Sequence, residues 1–315
     1  MQDPTDAPVP RGFIFIVGAP KCATTTLHRW LMAHPDVCHF RAHKEPRYFT
    51  DFSERHWAGP GTQRFLSSIV SDREAYLNGF GIGAERGRGL DSSTDYLSCE
   101  ASPGLIVAFA ETNDVQVIAV LRDPIARAFS EYQHTRRDGL QQDSFGRSLA
   151  LEPERIAAGA ALLFHHVRRS EYHAPVQRYR EAFGDSFLLL DGHALKSSDA
   201  LRDRLAAFLN LPDLTLDTEL HANASHVARF AAVTAILRHP MVRAVARRIV
   251  PRSVRGRAYD RVTKLNQTRL ALTDADADLA YDLMAQDIES CIADPFIPTN
   301  NWSTVAAVRR RRGIA

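Results

Sequence analysis

The chain has 315 residues and a formal net charge of +2, and 45% of its residues are hydrophobic and 24% are charged. This balance is ordinary for a globular protein and argues against a general nucleic-acid-binding protein. No apolar run approaches the ~18 residues of a transmembrane helix, and the N-terminus lacks the basic start and apolar stretch of a signal peptide. We therefore expect a cytoplasmic protein with enough apolar residues for a sizeable core.

No Pro/Gly/Ser-rich linker separates two cores, which favours a single domain. We predict a flexible N-terminus over residues 1–11, one domain over residues 12–302 and a basic tail over residues 303–315. The cysteines show neither metal-ligand spacing nor a disulfide framework, so we expect reduced thiols and no metal. They are Cys22, Cys38, Cys99 and Cys291.

The first predicted element is a strand over residues 13–17, where five apolar residues precede Gly18. Such a run is typical of a central parallel strand that is buried on both faces. The following loop contains Lys21, and the next helix begins with three threonines at positions 24–26 and extends to residue 33. Because the first turn of a helix has unpaired N–H groups and partial positive charge, this arrangement predicts an anion site.

This loop differs from the nucleotide-binding P-loop, in which a second glycine is followed by lysine and then serine or threonine. Here Ala23 stands at the second glycine and Thr24 at the lysine, whereas Lys21 lies inside the loop. A lysine at that position lies beside an anion rather than over a triphosphate. The sequence therefore disfavours a metal-dependent kinase, although a small-metabolite kinase using ATP stays the alternative.

The later elements alternate between apolar strands and helices, which predicts an α/β fold: a P-loop-like single domain with a central parallel sheet flanked by helices. Residues 50–80 are predicted to form loops and short helices that make a lid or peripheral layer, with aromatic anchors at Phe52, Trp57, Phe65 and Tyr76. The further predicted strands span residues 81–84, 115–121 and 187–190. The further predicted helices span residues 103–112, 171–183, 198–209 and 274–292.

Ligands of such sheets collect at the carboxyl ends of the strands, which here are followed by residues 18–26, 91–96 and 122–130. Arg122 stands at a predicted strand end, and Ser130 follows eight residues later, a little over two helical turns away. Both side chains contact one anion only if Arg122 extends along the helix. The alternative is a local cap and ion pair between Arg122 and Asp123.

Two basic segments remain. Residues 238–269 contain ten Lys/Arg and a single acid, Asp260, and part of this segment resembles a basic amphipathic helix. It is either a solvated face or a surface that binds an acidic ligand or a membrane. The four arginines at positions 309–312 are predicted to form a disordered end.

Two motifs together resemble the sulfotransferases that use 3′-phosphoadenylyl sulfate (PAPS), most closely the heparan-type or N-sulfotransferase-like and bacterial branches. The first motif is Gly18-Ala19-Pro20-Lys21-Cys22-Ala23-Thr24-Thr25, in which Ala23 replaces the family's glycine. The second is Arg122-Asp123-Pro124 followed by Arg127-Ala128-Phe129-Ser130-Glu131-Tyr132. The likeness includes Lys44-Glu45 and covers roughly residues 12 to 212.

The resemblance implies PAPS as sulfuryl donor, adenosine 3′,5′-bisphosphate as product and no metal. It implies that Lys21 and residues 24–26 bind the 5′-phosphosulfate, and that Arg122 and Ser130 bind the 3′-phosphate. The implied donor-binding residues are Gly18, Pro20, Lys21, Cys22, Ala23, Thr24, Thr25, Thr26, Arg122 and Ser130.

For catalysis, the resemblance implies in-line displacement with Lys21 stabilising the leaving phosphate oxygen. Glu45 is our first choice for the base that deprotonates the acceptor, and His134 is the alternative. Glu45 also has a simpler interpretation, an ion pair with Lys44 or Arg47. The acceptor is expected to be a carbohydrate, glycolipid or secondary metabolite that offers a hydroxyl or amine. Residues 48–80 and 238–269 are expected to line its cleft, and the oligomeric state stays open.

Overall fold

A computed structural model of the protein describes residues 10–80, 87–193, 195, 199–215, 227–228, 267–268 and 270–314. A five-stranded, fully parallel sheet lies at its centre, in the order β2-β3-β1-β4-β5. The strands of this sheet are β1 (Gly12–Gly18), β2 (Val37–His39), β3 (Arg88–Asp91), β4 (Asp114–Leu121) and β5 (Phe187–Asp191). Two short antiparallel strands, β6 (Val227–Ala228) and β7 (Gln267–Thr268), pair separately.

Helices cover the sheet and connect its strands. In the first half of the chain they are α1 (Thr24–Met32), α2 (Thr62–Leu66), α3 (Arg73–Asn78), α4 (Ser102–Ala110) and α5 (Pro124–Arg137). In the second half they are α6 (Phe145–Ala150), α7 (Glu152–Ala157), α8 (His173–Phe183), α9 (Asp199–Leu209), α10 (Asp274–Ala293) and α11 (Ser303–Arg312). Short 3₁₀ turns span Phe52–Glu54, Leu162–Phe164, Arg168–Ser170 and Gly184–Ser186. None of the helices in the described ranges is long and apolar enough to cross a bilayer.

The middle of the sheet is buried on both faces, as the apolar runs predict. Every residue from Phe13 to Val17 of β1 and from Val117 to Leu121 of β4 is fully buried. Strands with helices on both faces need apolar side chains at successive positions, which explains why their sequences do not alternate. The predicted α/β fold with a central parallel sheet is confirmed.

The position of β1 determines where a ligand can bind. β1 pairs with β3 on one side and with β4 on the other. The strand order therefore reverses at β1, with β2 and β3 on one side of the sheet and β4 and β5 on the other. A crevice opens at the carboxyl ends of strands where such a reversal occurs. The backbone N–H of Ala19 donates to the carbonyl of Val120 over 2.8 Å, which joins the loops after β1 and β4.

Most predicted elements have their counterpart within one or two residues. The strand predicted at residues 81–84 lies outside the described residues, and β3 at Arg88–Asp91 was not predicted. The disorder predicted at residues 309–312 is wrong, because these arginines form the last turn of α11. Three of them pair with carboxylates of α10: Arg309 with Glu289, Arg311 with Asp274 and Asp278, and Arg312 with Asp282.

The aromatic anchors of residues 50–80 divide between two cores. Tyr76 is fully buried in the main core, where its ring stacks on Tyr48 at 4.5 Å between centroids. Phe52 and Phe65 form a second, smaller core with Cys99 and Leu162, and Trp57 packs against it. The predicted peripheral layer is therefore attached to the sheet through Tyr76.

Candidate active site

The loop after β1 delivers an open helix N-terminus to the crevice. No side chain in the described part of the chain caps α1, and its first turn contains no acid. Gly18 allows this loop to approach the segment after β3, because a Cβ there would lie 2.5 Å from the Cβ of Leu97. The first N–H groups of α1 and the helix dipole are therefore available to an anion.

Lys21 adds a positive charge to this end of α1. Among the residues that the structure describes, none forms a hydrogen bond or ion pair with its ammonium. Burial and the neighbouring charge of Arg137 lower the pKa of Lys21 to about 8, and Arg122 and Arg127 act in the same direction. An anion bound here would relieve that repulsion, since an opposite charge favours the protonated amine.

Ala23 has a backbone conformation that glycine adopts more easily than other residues do. Its φ of 62° and ψ of 14° lie in the left-handed region, immediately before α1 begins. Alanine is strained there because its Cβ approaches the following carbonyl oxygen. The turn before α1 therefore places a non-glycine residue in a conformation that favours glycine.

The loop after β4 carries the second predicted anion contact. The Arg122 guanidinium donates to the carbonyl of Ala126 over 2.6 Å, so this side chain extends along α5 towards Ser130. It forms no ion pair with Asp123 within the described structure, and its buried Nε has no hydrogen-bond partner there. Asp123 instead caps α5 by accepting from the N–H of Ala126 over 2.9 Å. Of the alternatives from the sequence, the cap forms and the Arg122–Asp123 ion pair does not.

Lys44 and Glu45 lie beside the start of α1. The Lys44 ammonium donates to the Thr24 hydroxyl over 3.4 Å and lies 3.6 Å from Oε1 of Glu45. The other carboxylate oxygen, Oε2, accepts from Arg47 over 2.6 Å, and the Thr94 hydroxyl donates to Oε1 over 3.3 Å. The ion pair with Arg47 considered from the sequence therefore exists. It fixes one carboxylate oxygen and leaves only long contacts on the other.

His134 lies on α5, near Lys21. Its Nε2 is 3.7 Å from a carboxylate oxygen of Asp138, and its side chain is 39% exposed. Burial and the adjacent charges of Lys21 and Arg137 lower the pKa of His134 to about 4. The imidazole is consequently neutral at pH 7 but only weakly basic.

A buried chain of ion pairs behind the site was not predicted from the sequence. Arg47 pairs with Asp95 over 2.6 Å, Asp95 pairs with Arg169, and Arg169 pairs with Glu131 over 2.5 Å. Glu131 also accepts from Arg127 over 2.8 Å within α5. Burial alone would raise the pKa values of Asp95 and Glu131, but the arginines lower both below their ordinary values.

Residues 91–96, at the third predicted strand end, support the loop that contains Glu45. Asp91 is fully buried and accepts from Tyr76, Tyr96 and Ser93, and burial raises its pKa to about 6. The Ser93 hydroxyl accepts from the N–H of Arg47 over 2.9 Å. This segment therefore fixes the loop that presents Glu45.

Comparison with known proteins agrees with the geometry. The sequence profile described as Sulfotransferase domain matches residues 12–226, which is more than half of the chain. The chain belongs to the sulfotransferase family. This sulfotransferase is similar to the crystal structure of a sulfotransferase from Alicyclobacillus acidocaldarius, at 32% identity and a TM-score of 0.61. That match covers 68% of the present chain and 87% of the bacterial one.

Other solved structures resemble this sulfotransferase at lower identity. Mouse sulfotransferase SULT7A1, solved with PAP, is 15% identical with a TM-score of 0.41, over 69% of this chain and 65% of the mouse chain. Retinol dehydratase, solved with androsterone and the inactive cofactor PAP, is 16% identical with a TM-score of 0.38, over 68% and 63% of the two chains. No protein with a curated description matches the chain.

Family membership confirms the predicted sulfotransferase resemblance, and sulfuryl transfer is the activity of this enzyme. All four cysteines are free, as expected. The basic segment at residues 238–269 lies outside the described residues, apart from the backbone of the two-residue β7.

Proposed function

We propose that this sulfotransferase transfers the sulfuryl group of PAPS to a hydroxyl or amine of a small-molecule or glycan acceptor. The observation that carries the proposal is the pair of cations without ion-pair partners in the described structure, Lys21 at the start of α1 and Arg122 along α5. They follow neighbouring strands, β1 and β4. A donor with both a 5′-phosphosulfate and a 3′-phosphate has two separate anions to occupy these positions.

In the proposed complex, Lys21, the N-terminus of α1 and the hydroxyls of Thr24, Thr25 and Thr26 hold the 5′-phosphosulfate. Arg122 and Ser130 hold the 3′-phosphate, and Ser130 lies one helical turn beyond Ala126, whose carbonyl Arg122 contacts. The remaining backbone contacts are assigned to Gly18, Pro20, Cys22 and Ala23. Lys21 stabilises the charge that grows on the leaving phosphate oxygen.

We assign the base to Glu45 rather than His134. Oε2 of Glu45 is anchored by Arg47, whereas Oε1 has only contacts of 3.3 Å and 3.6 Å, so that oxygen is the one available to accept the acceptor's proton. Lys44 links this carboxylate to Thr24 at the start of α1. His134 is the weaker candidate because its lowered pKa removes the advantage in basicity that an imidazole ordinarily has over a carboxylate, and Lys44 links Glu45, not His134, to the start of α1.

Lys44 joins the donor and acceptor sides of the proposed site. Its ammonium lies between the Thr24 hydroxyl and the Glu45 carboxylate, and its side chain is only 22% exposed. Burial lowers the pKa of Lys44. We assign to Lys44 the neutralisation of charge on the sulfuryl oxygens during transfer.

Equilibrium nucleotide binding tests the donor assignment. We expect micromolar binding of adenosine 3′,5′-bisphosphate, much weaker binding of ATP and no change on adding EDTA. Tight ATP binding that requires magnesium would instead support the kinase alternative. A mass-spectrometric screen for sulfated products then identifies the acceptor class, whether carbohydrate, glycolipid or secondary metabolite.

The effect of two substitutions on turnover separates the candidate bases. We expect Glu45→Gln to lower kcat by about 10²- to 10⁴-fold, because the amide cannot take up the acceptor's proton. His134→Ala is expected to reduce kcat much less. A larger loss in His134→Ala than in Glu45→Gln would transfer the base assignment to His134.

A further inference from the structure

Asp123 connects the N-termini of two helices that are far apart in the sequence. Its Oδ1 accepts from the N–H of Ala126 in α5 over 2.9 Å. Its Oδ2 accepts from the N–H groups of Thr304 and Val305 in α11, over 2.6 Å and 3.0 Å. The side chain is almost fully buried, and both helix dipoles favour a negative charge at this point.

The same contacts keep Asp123 away from its neighbour Arg122. Three backbone N–H groups occupy the carboxylate, and the Arg122 guanidinium lies instead on the carbonyl of Ala126. Ala126 is thus held by Asp123 through its N–H and contacts Arg122 through its oxygen. This arrangement fixes Arg122 along α5 and leaves its positive charge without a carboxylate partner in the described structure.

The residues just before and at the start of α11 also contact the loops at the strand ends. Asn301 donates to the carboxylate of Asp191 at the end of β5 over 2.5 Å. The buried Trp302 ring packs on Tyr172, with centroids 6.0 Å apart, and the Tyr172 hydroxyl lies 3.8 Å from Sγ of Cys22 in the loop after β1. Residues 301–305 therefore contact Asp123 after β4 and Asp191 at the end of β5 directly, and they are linked to the loop after β1 through Tyr172.

We propose that Asp123 and residues 301–305 form a clasp that positions Arg122 for the 3′-phosphate and so sets the preference for 3′-phosphorylated nucleotides. The inference rests on the proposed function. Asp123 acts here as a positioning residue. When the N–H donors of α11 are removed, Asp123 is released to pair with Arg122, and the charge intended for the phosphate is neutralised.

The test compares two nucleotides that share a 5′-phosphate. Adenosine 3′,5′-bisphosphate and adenosine 5′-monophosphate are each titrated calorimetrically into the protein. The Kd of the monophosphate divided by the Kd of the bisphosphate measures the contribution of the 3′-phosphate. Thr304→Pro removes one donor to Asp123 at a position in the first helical turn, where proline is tolerated. We expect it to reduce the ratio about tenfold, the size expected when a charge-assisted hydrogen bond is weakened.

The matched control is Thr304→Ala, which keeps the backbone N–H and should keep the wild-type ratio. If Thr304→Pro fails to fold, Val305→Pro replaces it, since it removes the other α11 donor to Asp123 and leaves the carboxylate in place. An unchanged ratio, including an equal loss of affinity for both nucleotides, would overturn the clasp. A wild-type protein that does not prefer the bisphosphate would overturn the proposed function itself, before any variant is measured.

Discussion

Two regions of this sulfotransferase contain clustered positive charges, and they differ in how those charges are paired. In the proposed donor site, Lys21 and Arg122 have no ion-pair partner in the described structure. Behind it, Arg47, Arg127 and Arg169 each pair with a buried carboxylate. Only the first region can attract a further anion, because the second already has its negative charges in place.

The difference shows that a high density of basic residues is not by itself a sign of anion binding. The second motif contains both types within six residues: Arg122 has no ion-pair partner in the part of the chain that the structure describes, whereas Arg127 pairs with Glu131 one helical turn further on. The two arginines differ in whether the nearest carboxylate is available to pair with them. For Arg122 that carboxylate is Asp123, which is occupied by helix N-termini.

The largest expected effect comes from breaking the paired region. Asp95→Ala leaves Arg47 and Arg169 without one of their carboxylates inside the protein. We expect the free energy of unfolding to fall by about 3–5 kcal/mol, as for other buried ion pairs that lose one partner. Urea denaturation measures the change.

The control for this experiment is the exposed pair of Arg55 and Asp51, whose side chains are 42% and 33% exposed. Asp51→Ala should cost only about 0.2–1 kcal/mol, since solvent screens such pairs. Similar losses in the free energy of unfolding for Asp95→Ala and Asp51→Ala would show that the buried ion pairs do not stabilise the fold.

In the unpaired region, Lys21→Ala is expected to reduce catalysis rather than stability. Loss of one positioned donor to developing charge costs about 10²- to 10³-fold in kcat. The midpoint of urea denaturation should stay unchanged or rise slightly, because a buried, repelled ammonium is removed. Near-wild-type turnover in Lys21→Ala would contradict the role given to this lysine.

The lowered pKa of Lys21 leads to a third, smaller expected effect, a loss of nucleotide affinity at high pH. It is lowered to about 8, so the free enzyme loses this charge as the pH rises through 8, while a bound phosphate favours the protonated form. The affinity for adenosine 3′,5′-bisphosphate should be highest below pH 8. Above pH 8 it should fall by up to about tenfold per pH unit.

The matched variant is Lys21→Arg, since a guanidinium stays charged throughout this range. Its bisphosphate affinity, measured by calorimetry between pH 7 and 9.5, should lack the decline. An equal decline in the wild type and in Lys21→Arg would assign the titration to another group.

The parts that were predictable from the sequence are those in which a strand, its loop and its helix are consecutive. The loop after β1 and the one after β4 are both of this kind, so the sequence predicted that Lys21 and Arg122 follow strands of the central sheet, where the structure has them. The pairing of Asp95 with Arg169 was not predictable, because 74 residues separate them and no local pattern relates them. The disorder predicted for residues 309–312 was avoidable: α10 presents Asp274, Asp278 and Asp282 four residues apart, a complementary stripe for the arginines of α11.

The conformation of Ala23 leads to the smallest expected effect, and it tests whether the donor loop is strained without its ligand. A non-glycine residue in the left-handed region costs roughly 1–2 kcal/mol, and glycine's greater freedom in the unfolded chain offsets part of the gain from replacing it. Ala23→Gly should therefore stabilise the protein by about 0.5–1 kcal/mol in urea denaturation, with bisphosphate affinity unchanged. Ala207→Gly is the control, because Ala207 is exposed within α9 and its replacement should destabilise by about 1 kcal/mol. Destabilisation by both substitutions would show that the left-handed turn at residue 23 is not a source of strain.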